Sequence, residues 1–187
     1  MSNPIARSIA RSIARISIPG RGYCSGALIT PDTVLTCAHF FRRADVRKVR
    51  VRIDDTTLAP VSAAPLPGTD VALVRLPERV DAVPLPVGPA PRTGRPTLTV
   101  GFGGRAASPE GRPGRYLGRL PFSASRSFAT RVRPAGLIYN NPPAVKGDSG
   151  GPVFAGGEIF AVQSLILDPR GRNLRAATVS LLPASYR

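Results

Sequence analysis

Three short pieces of this chain carry residue types that together could attack a carbonyl. In Gly147-Asp148-Ser149-Gly150-Gly151-Pro152 a serine sits inside a glycine-bracketed turn. Glycine allows the tight, closely approached backbone that such a turn needs. Converging N–H groups there could hold the oxyanion formed on attack, each donor being worth about 3 kcal/mol. Taken alone, a serine in a glycine-rich turn is an ordinary loop. Leu35-Thr36-Cys37-Ala38-His39 ends on the only histidine of the chain. Serine becomes a nucleophile when a base removes its proton, and imidazole is the side chain that titrates near neutrality. A single histidine is more often structural than catalytic, yet any serine–histidine chemistry here must use His39. The third piece, Thr69-Asp70-Val71-Ala72-Leu73-Val74-Arg75-Leu76, places an aspartate directly before an apolar run. Buried beside the imidazole, Asp70 could fix its tautomer and stabilise the imidazolium formed during attack. Read in isolation it is a strand-leading Asp.

The elements that must position these residues read as strands. Gly 19 and Pro 21 are high for 187 residues. They separate short, β-branched, often alternating segments, which is the pattern of an all-β chain. Strands are predicted over 15–18, 23–30, 33–36, 48–53, 57–63 and 71–76, and then over 97–102, 116–122, 137–139, 152–154, 159–167 and 177–182. The segment 84–96 between the two sets is Pro-rich and suits an extended linker. The predicted organisation is therefore an N-terminal extension over 1–14, a first six-stranded β-barrel over 15–83, the linker, and a second six-stranded barrel over 97–187.

The formal net charge of +15 comes almost wholly from arginine, with Lys48 and Lys146 the only lysines. The arginines are scattered and aromatics are only 6%. This argues against nucleic acid as the primary partner, which calls for a concentrated basic patch. Acidic substrates and an anionic membrane surface both fit the charge, which does not choose between them. The N-terminus repeats a tetrapeptide, Ile5-Ala6-Arg7-Ser8, Ile9-Ala10-Arg11-Ser12, Ile13-Ala14-Arg15. As a helix it would line up three isoleucines opposite the arginines, so residues 1–15 read either as a membrane-surface contact or transit segment, or as an element packed on the domain. No apolar run approaches the length of a membrane span, and no continuous apolar core of a secretory signal is present. A cytoplasmic location is expected, with a secreted or periplasmic one as the alternative if a signal was removed before the numbering begins.

Together, and in the order His, Asp, Ser, these pieces resemble the chymotrypsin/trypsin family of serine proteases. The resemblance extends to Tyr23-Cys24-Ser25-Gly26-Ala27-Leu28-Ile29 before the histidine, to Thr99-Val100-Gly101-Phe102-Gly103 opening the second half, and to Val162-Gln163-Ser164-Leu165. It implies a double β-barrel with the active site between barrels, His39, Asp70 and Ser149 as triad, and the Gly147 and Ser149 N–H groups as oxyanion hole. The resemblance further implies a protein or peptide substrate, held by Ser164 and its neighbour Leu165 with Pro143, Lys146 and Ile166, and no metal or organic cofactor. Pro143 stands six residues before Ser149, where a trypsin-like enzyme carries aspartate, and Ile166 stands where the family has glycine. Cleavage after small or medium apolar residues is the resulting expectation. A protease-fold binding protein that no longer cleaves, and an esterase or acyl-transfer hydrolase using the same triad, are the alternatives.

The departures from the family pattern carry expectations of their own. Cys37 lies two residues before the histidine, where the family places its cysteine directly after it, so Cys24 and Cys37 are expected to be free thiols. Such a bridge-poor domain is similar to the bacterial trypsin-like branch. No Ile-Val-Gly-Gly activation peptide is present, so the chain is expected to be active as translated, with Asp148 in a structural role and an internal arginine as its partner. The family's C-terminal helix is not expected, since only residues 183–187 follow the last predicted strand.

Overall fold

The structure, a computed structural model, describes residues 7–186. A four-residue helix α1 (Arg7–Ala10) leads into β1 (Ile13–Ile18), β2 (Gly22–Thr30), β3 (Thr33–Cys37), β4 (Arg50–Ile53), β5 (Thr56–Leu58), β6 (Ser62–Pro65) and β7 (Val71–Arg75). The second half adds β8 (Pro96–Gly101), β9 (Glu110–Leu120), β10 (Ser123–Ala124), β11 (Arg131–Val132), β12 (Ala135–Asn140), β13 (Pro152–Ala155), β14 (Glu158–Ile166) and β15 (Ala176–Leu181). Among the described residues no helix is long and apolar enough to cross a membrane.

The second half is a closed six-stranded barrel in the order β12-β15-β14-β13-β8-β9. The first is a seven-stranded sheet, β5-β4-β1-β2-β3-β7-β6, and every pairing in it is antiparallel. Here the structure corrects the expected six strands. The strand predicted over 57–63 is two strands, β5 and β6, on opposite edges of the sheet. Pro60 lies between them and has no N–H to give a ladder, so the half-barrel is closed by the covalent chain between its edges. Elsewhere the alternation of small and branched residues does what its period requires. Along β1, Ala14, Ile16 and Ile18 are buried while Arg15 and Ser17 are half-buried on the other face.

The chain enters β1 at Ile13, two residues before the predicted start. Of the three repeat isoleucines, Ile5 lies outside the described residues, Ile9 packs partly buried on the core and Ile13 is buried within β1. A helical stripe running through Ile13 is thus not formed, because the backbone from Ile13 onward pairs with Ala27 and its neighbours on β2. The Pro-rich segment is extended and strapped down. Leu85 N–H donates to Leu28 of the first half, and Gly88 N–H to Ile159 of the second. One apolar core includes Ile16, Leu28 and Val51 of the first half together with Val100, Phe154 and Ile159 of the second, so burial of the same side chains stabilises both halves and their junction.

Candidate active site

His39 stands two residues after the end of β3 and begins a single helical turn, His39–Phe41. Asp70 immediately precedes β7, which lies beside β3 with Cys37 opposite Val71. That register brings together two residues distant in sequence. The His39 backbone N–H donates to Asp70 Oδ1 at 2.8 Å, and Nδ1 lies 2.8 Å from Oδ2. The Asp70 backbone is itself held, its carbonyl accepting from Ala38 N–H and its N–H donating to Ser180 Oγ on β15. With its carboxylate only 1% exposed, Asp70 orients the ring so that, in the neutral imidazole, the proton facing Oδ2 is on Nδ1 and Nε2 carries the free lone pair.

Nε2 lies 3.8 Å from Cys37 Sγ. Burial pulls the His39 pKa down, but the Cys37 sulfur and the Asp70 carboxylate outweigh it and raise it from 6.5 to about 10. Burial pushes the Cys37 thiol well above its usual range. A protonated thiol carries no charge, so at neutral pH the upward pull on His39 is that of Asp70. Cys24 and Cys37 are both free and buried, as expected from the displaced cysteine.

The serine turn is strapped to the strands that carry the histidine. Ser25 N–H on β2 donates to the Ser149 carbonyl at 2.7 Å, and Ser25 Oγ donates to the Gly147 carbonyl at 2.7 Å. From the other side, Gly150 N–H donates to the Gln163 carbonyl and Gln163 N–H to that of Gly151, tying the turn to β14. Gly147 and Gly150 adopt φ of +101° and +81°. Side chains other than glycine resist both values, and a Cβ at Gly150 would collide with the Ser25 carbonyl and Thr36 Oγ1. Among the described residues neither the Gly147 nor the Ser149 N–H has an acceptor, which leaves both open to a developing oxyanion. No hydrogen bond joins Ser149 Oγ to His39 Nε2 among the described residues; in free enzymes such bonds are commonly long and tighten with substrate.

Between these two residues of the turn, Asp148 points inward and is fully buried. Arg112 on β9 donates from Nε to Oδ2, Val145 N–H to the same oxygen at 2.8 Å, and Gly103 N–H to Oδ1 at 2.9 Å. Burial pushes the Asp148 carboxyl up, while Arg112 and the two backbone donors pull it down. Arg112, which sequence reasoning did not single out, is the internal arginine expected for Asp148. It is one arginine among many, and only the pairing of β8 with β9, Thr99 opposite Arg112, selects it. Tyr23, Ser25 and Ser180 are further residues whose contacts no local motif announced.

The residues expected to bind substrate fall into two groups. Ser164 is buried with its hydroxyl toward the Val162 carbonyl, and Leu165 and Ile166 help line a cavity of about 880 Å³ with Leu120, Leu137 and Ser123. Pro143 and Lys146 lie in the loop entering the serine turn, outside that cavity's wall. Pro143 is half-buried and Lys146 exposed.

Several solved structures are similar to this one. The active form of the Rv3671c protease of M. tuberculosis superposes with a TM-score of 0.75 at 23% identity, over 98% of this chain and 81% of that one. Kallikrein-related peptidase 10 gives 0.71 at 17%, over 95% and 93%, and human heparin binding protein 0.72 at 19%, over 96% and 90%. These likenesses establish the chymotrypsin-like fold. Comparison with curated protein sequences found no significant match. A family model does match, over residues 24–162, and its description is that of a trypsin-like peptidase domain. That span contains His39, Asp70 and Ser149, and with it the chain belongs to the trypsin-like peptidase family, a family of serine peptidases.

Proposed function

We propose that this peptidase is an endopeptidase that works through an acyl-enzyme on Ser149. The observation that carries the reading is the double hold of Asp70 on His39, at 2.8 Å to the backbone N–H and 2.8 Å to Nδ1, beside a serine turn tied to β2. In this reading His39 Nε2 takes the Ser149 proton as Oγ attacks. The open N–H groups of Gly147 and Ser149 receive the oxyanion, and the imidazolium, stabilised by Asp70, then protonates the leaving amine. Water attacks the ester by the same route in reverse. The apolar side chains of Leu120, Leu137, Leu165 and Ile166 in the cavity wall support cleavage after small or medium apolar residues. The two buried thiols support a reducing compartment.

Turnover of an unbiased peptide library by the wild type and by Ser149→Ala tests the reading. The wild type should cut after Ala, Val or Leu, and the variant should lose nearly all turnover because nucleophile and base act as a unit. Undiminished cleavage by Ser149→Ala would overturn it. Absence of turnover by the wild type would point instead to a protease-fold binding protein.

A further inference from the structure

One face of the first sheet carries a row of positive charge beginning at the oxyanion turn. Ser25 on β2, Arg15 on β1 and Arg52 on β4 stand directly opposite one another. Ser25 holds the Gly147 carbonyl, so Arg15 is the next residue outward from the turn and Arg52 the one beyond it. The Arg15 guanidinium lies 4.1 Å from the centroid of Tyr23 and 5.9 Å from that of Phe102, and the Arg52 guanidinium lies 5.5 Å from Phe102. Two cations thus share one aromatic ring.

Like charges directly opposite across a ladder repel. The ring faces offset part of this. No carboxylate completes the offset. Among the described residues the Arg15 side chain makes no hydrogen bond or ion pair, and the one hydrogen bond of Arg52 goes to the Ala107 carbonyl at 3.2 Å. Asp54 is taken by Arg11 at 2.8 Å, and Asp55, which shares a cavity of about 870 Å³ with Arg52 and Phe102, pairs with neither arginine. Both arginine residues are half-buried and their guanidiniums stack on the rings, which is the state in which a fork of N–H donors binds a carboxylate at low entropic cost.

The row's position says which part of a substrate would meet it. β14 reaches the serine turn at Gly150 and Gly151, whereas Tyr23 reaches it at Gly147, where a Cβ would come within 2.6 Å of the ring. A peptide whose acyl part runs along β14 must carry its leaving part away over Tyr23, toward Arg15. We propose that Arg15 and Arg52, stacked on Tyr23 and Phe102, bind an acidic side chain on the leaving side of the peptide, about two to four residues past the scissile bond. The inference rests on the endopeptidase reading and names its substrate class.

The test uses internally quenched peptides, identical except for Asp, Glu, Ala or Lys at the second to fourth positions after the cut. They are assayed with the wild type, with Arg15→Gln/Arg52→Gln, and with Arg52→Glu. Labelling of Ser149 by a fluorophosphonate is measured in parallel. The wild type should favour an acidic over an alanine peptide in kcat/KM by about tenfold, as a charge-assisted hydrogen bond implies. That ratio should shrink as salt is raised, fall to about one in the double variant, and move toward Lys in Arg52→Glu. The salt dependence reads the site in the wild type even if a variant fails to fold. A labelled enzyme with no acidic preference, or a preference that survives in the double variant, would overturn the site and leave the peptidase reading standing. Binding of a sulfated oligosaccharide that the double variant loses, with a flat peptide profile, would overturn it in favour of a polyanion. A chain in which Ser149 is not labelled would overturn the peptidase reading, and this inference with it.

Discussion

Arg112 Nε donates to Asp148 Oδ2 next to Ser149, and both side chains are buried. Asp148 sits between Gly147 and Ser149, whose N–H groups have no acceptor among the described residues, so this pair holds the turn in shape. A guanidinium supplied by β9 needs no chain cleavage to arrive. Arg112→Ala leaves a buried carboxylate without its cation and should cost about 3 to 5 kcal/mol, with a matching loss of titratable Ser149. Removal of residues 2–6, which changes the N-terminus and leaves Arg112 in place, should leave active-site titration unchanged. Loss of titratable serine in that truncation, with Arg112→Ala silent, would assign the Asp148 partner to the amino terminus.

The pH profile follows from Asp70. A base must be neutral to accept the serine proton, and the Asp70 carboxylate raises the His39 pKa above 6.5. With His39 as the base, the acid limb of kcat/KM should therefore lie above 6.5. Stability runs the opposite way. The imidazolium–Asp70 pairing contributes in full below about 6.5 and is lost as pH rises through the folded value. Asp70→Asn should lower the limb, whereas Cys37→Ala, which removes an uncharged thiol, should move it little. A limb that follows Cys37→Ala and ignores Asp70→Asn would show that the sulfur is ionised.

Free cysteines predict two titratable thiols in protein denatured without reductant. Reductant should change neither activity nor melting temperature, whereas a native bridge would contribute about 2 to 4 kcal/mol. Zero titratable thiols would contradict the structure at Cys24 and Cys37.

Gly150→Ala should be far more damaging than its one methyl implies. The residue has φ of +81°, and its Cβ would meet the Ser25 carbonyl and Thr36 Oγ1. Strain and overpacking together come to about 2 to 4 kcal/mol, at the place where the serine turn docks on the histidine strands. Gly156→Ala, also at positive φ but with open space around its Cβ, is the control and should cost less. Equal losses in the two variants would argue against the docking.

Most strands, and the pieces that carry His39, Asp70 and Ser149, were legible because their signals are local. Cys37-Ala38-His39 ends an apolar strand, Asp70 opens one, and Ser149 sits among glycines that a tight turn requires. Strand ends were read less well where pairing continues beyond the apolar pattern. β9 begins at Glu110, well before the predicted 116, because residues 110–115 pair with β8 although they are largely Gly, Pro and Arg. The split of 57–63 into two edge strands depends on the closure of a sheet, which a single segment does not encode. Arg112, Arg15 and Arg52 were invisible for the same reason. Their roles come from cross-strand register, and in a chain this rich in arginine no composition or spacing distinguishes them.

Ser149 offers the most direct measurement: intact-mass and peptide-mass analysis of the freshly made chain after reaction with a fluorophosphonate. A single adduct on Ser149 in the wild type, absent from Ser149→Ala and nearly absent from His39→Ala, is the expected result. An unmodified wild type, or an adduct on another residue that survives in Ser149→Ala, would contradict the assignment of Ser149 as an activated nucleophile.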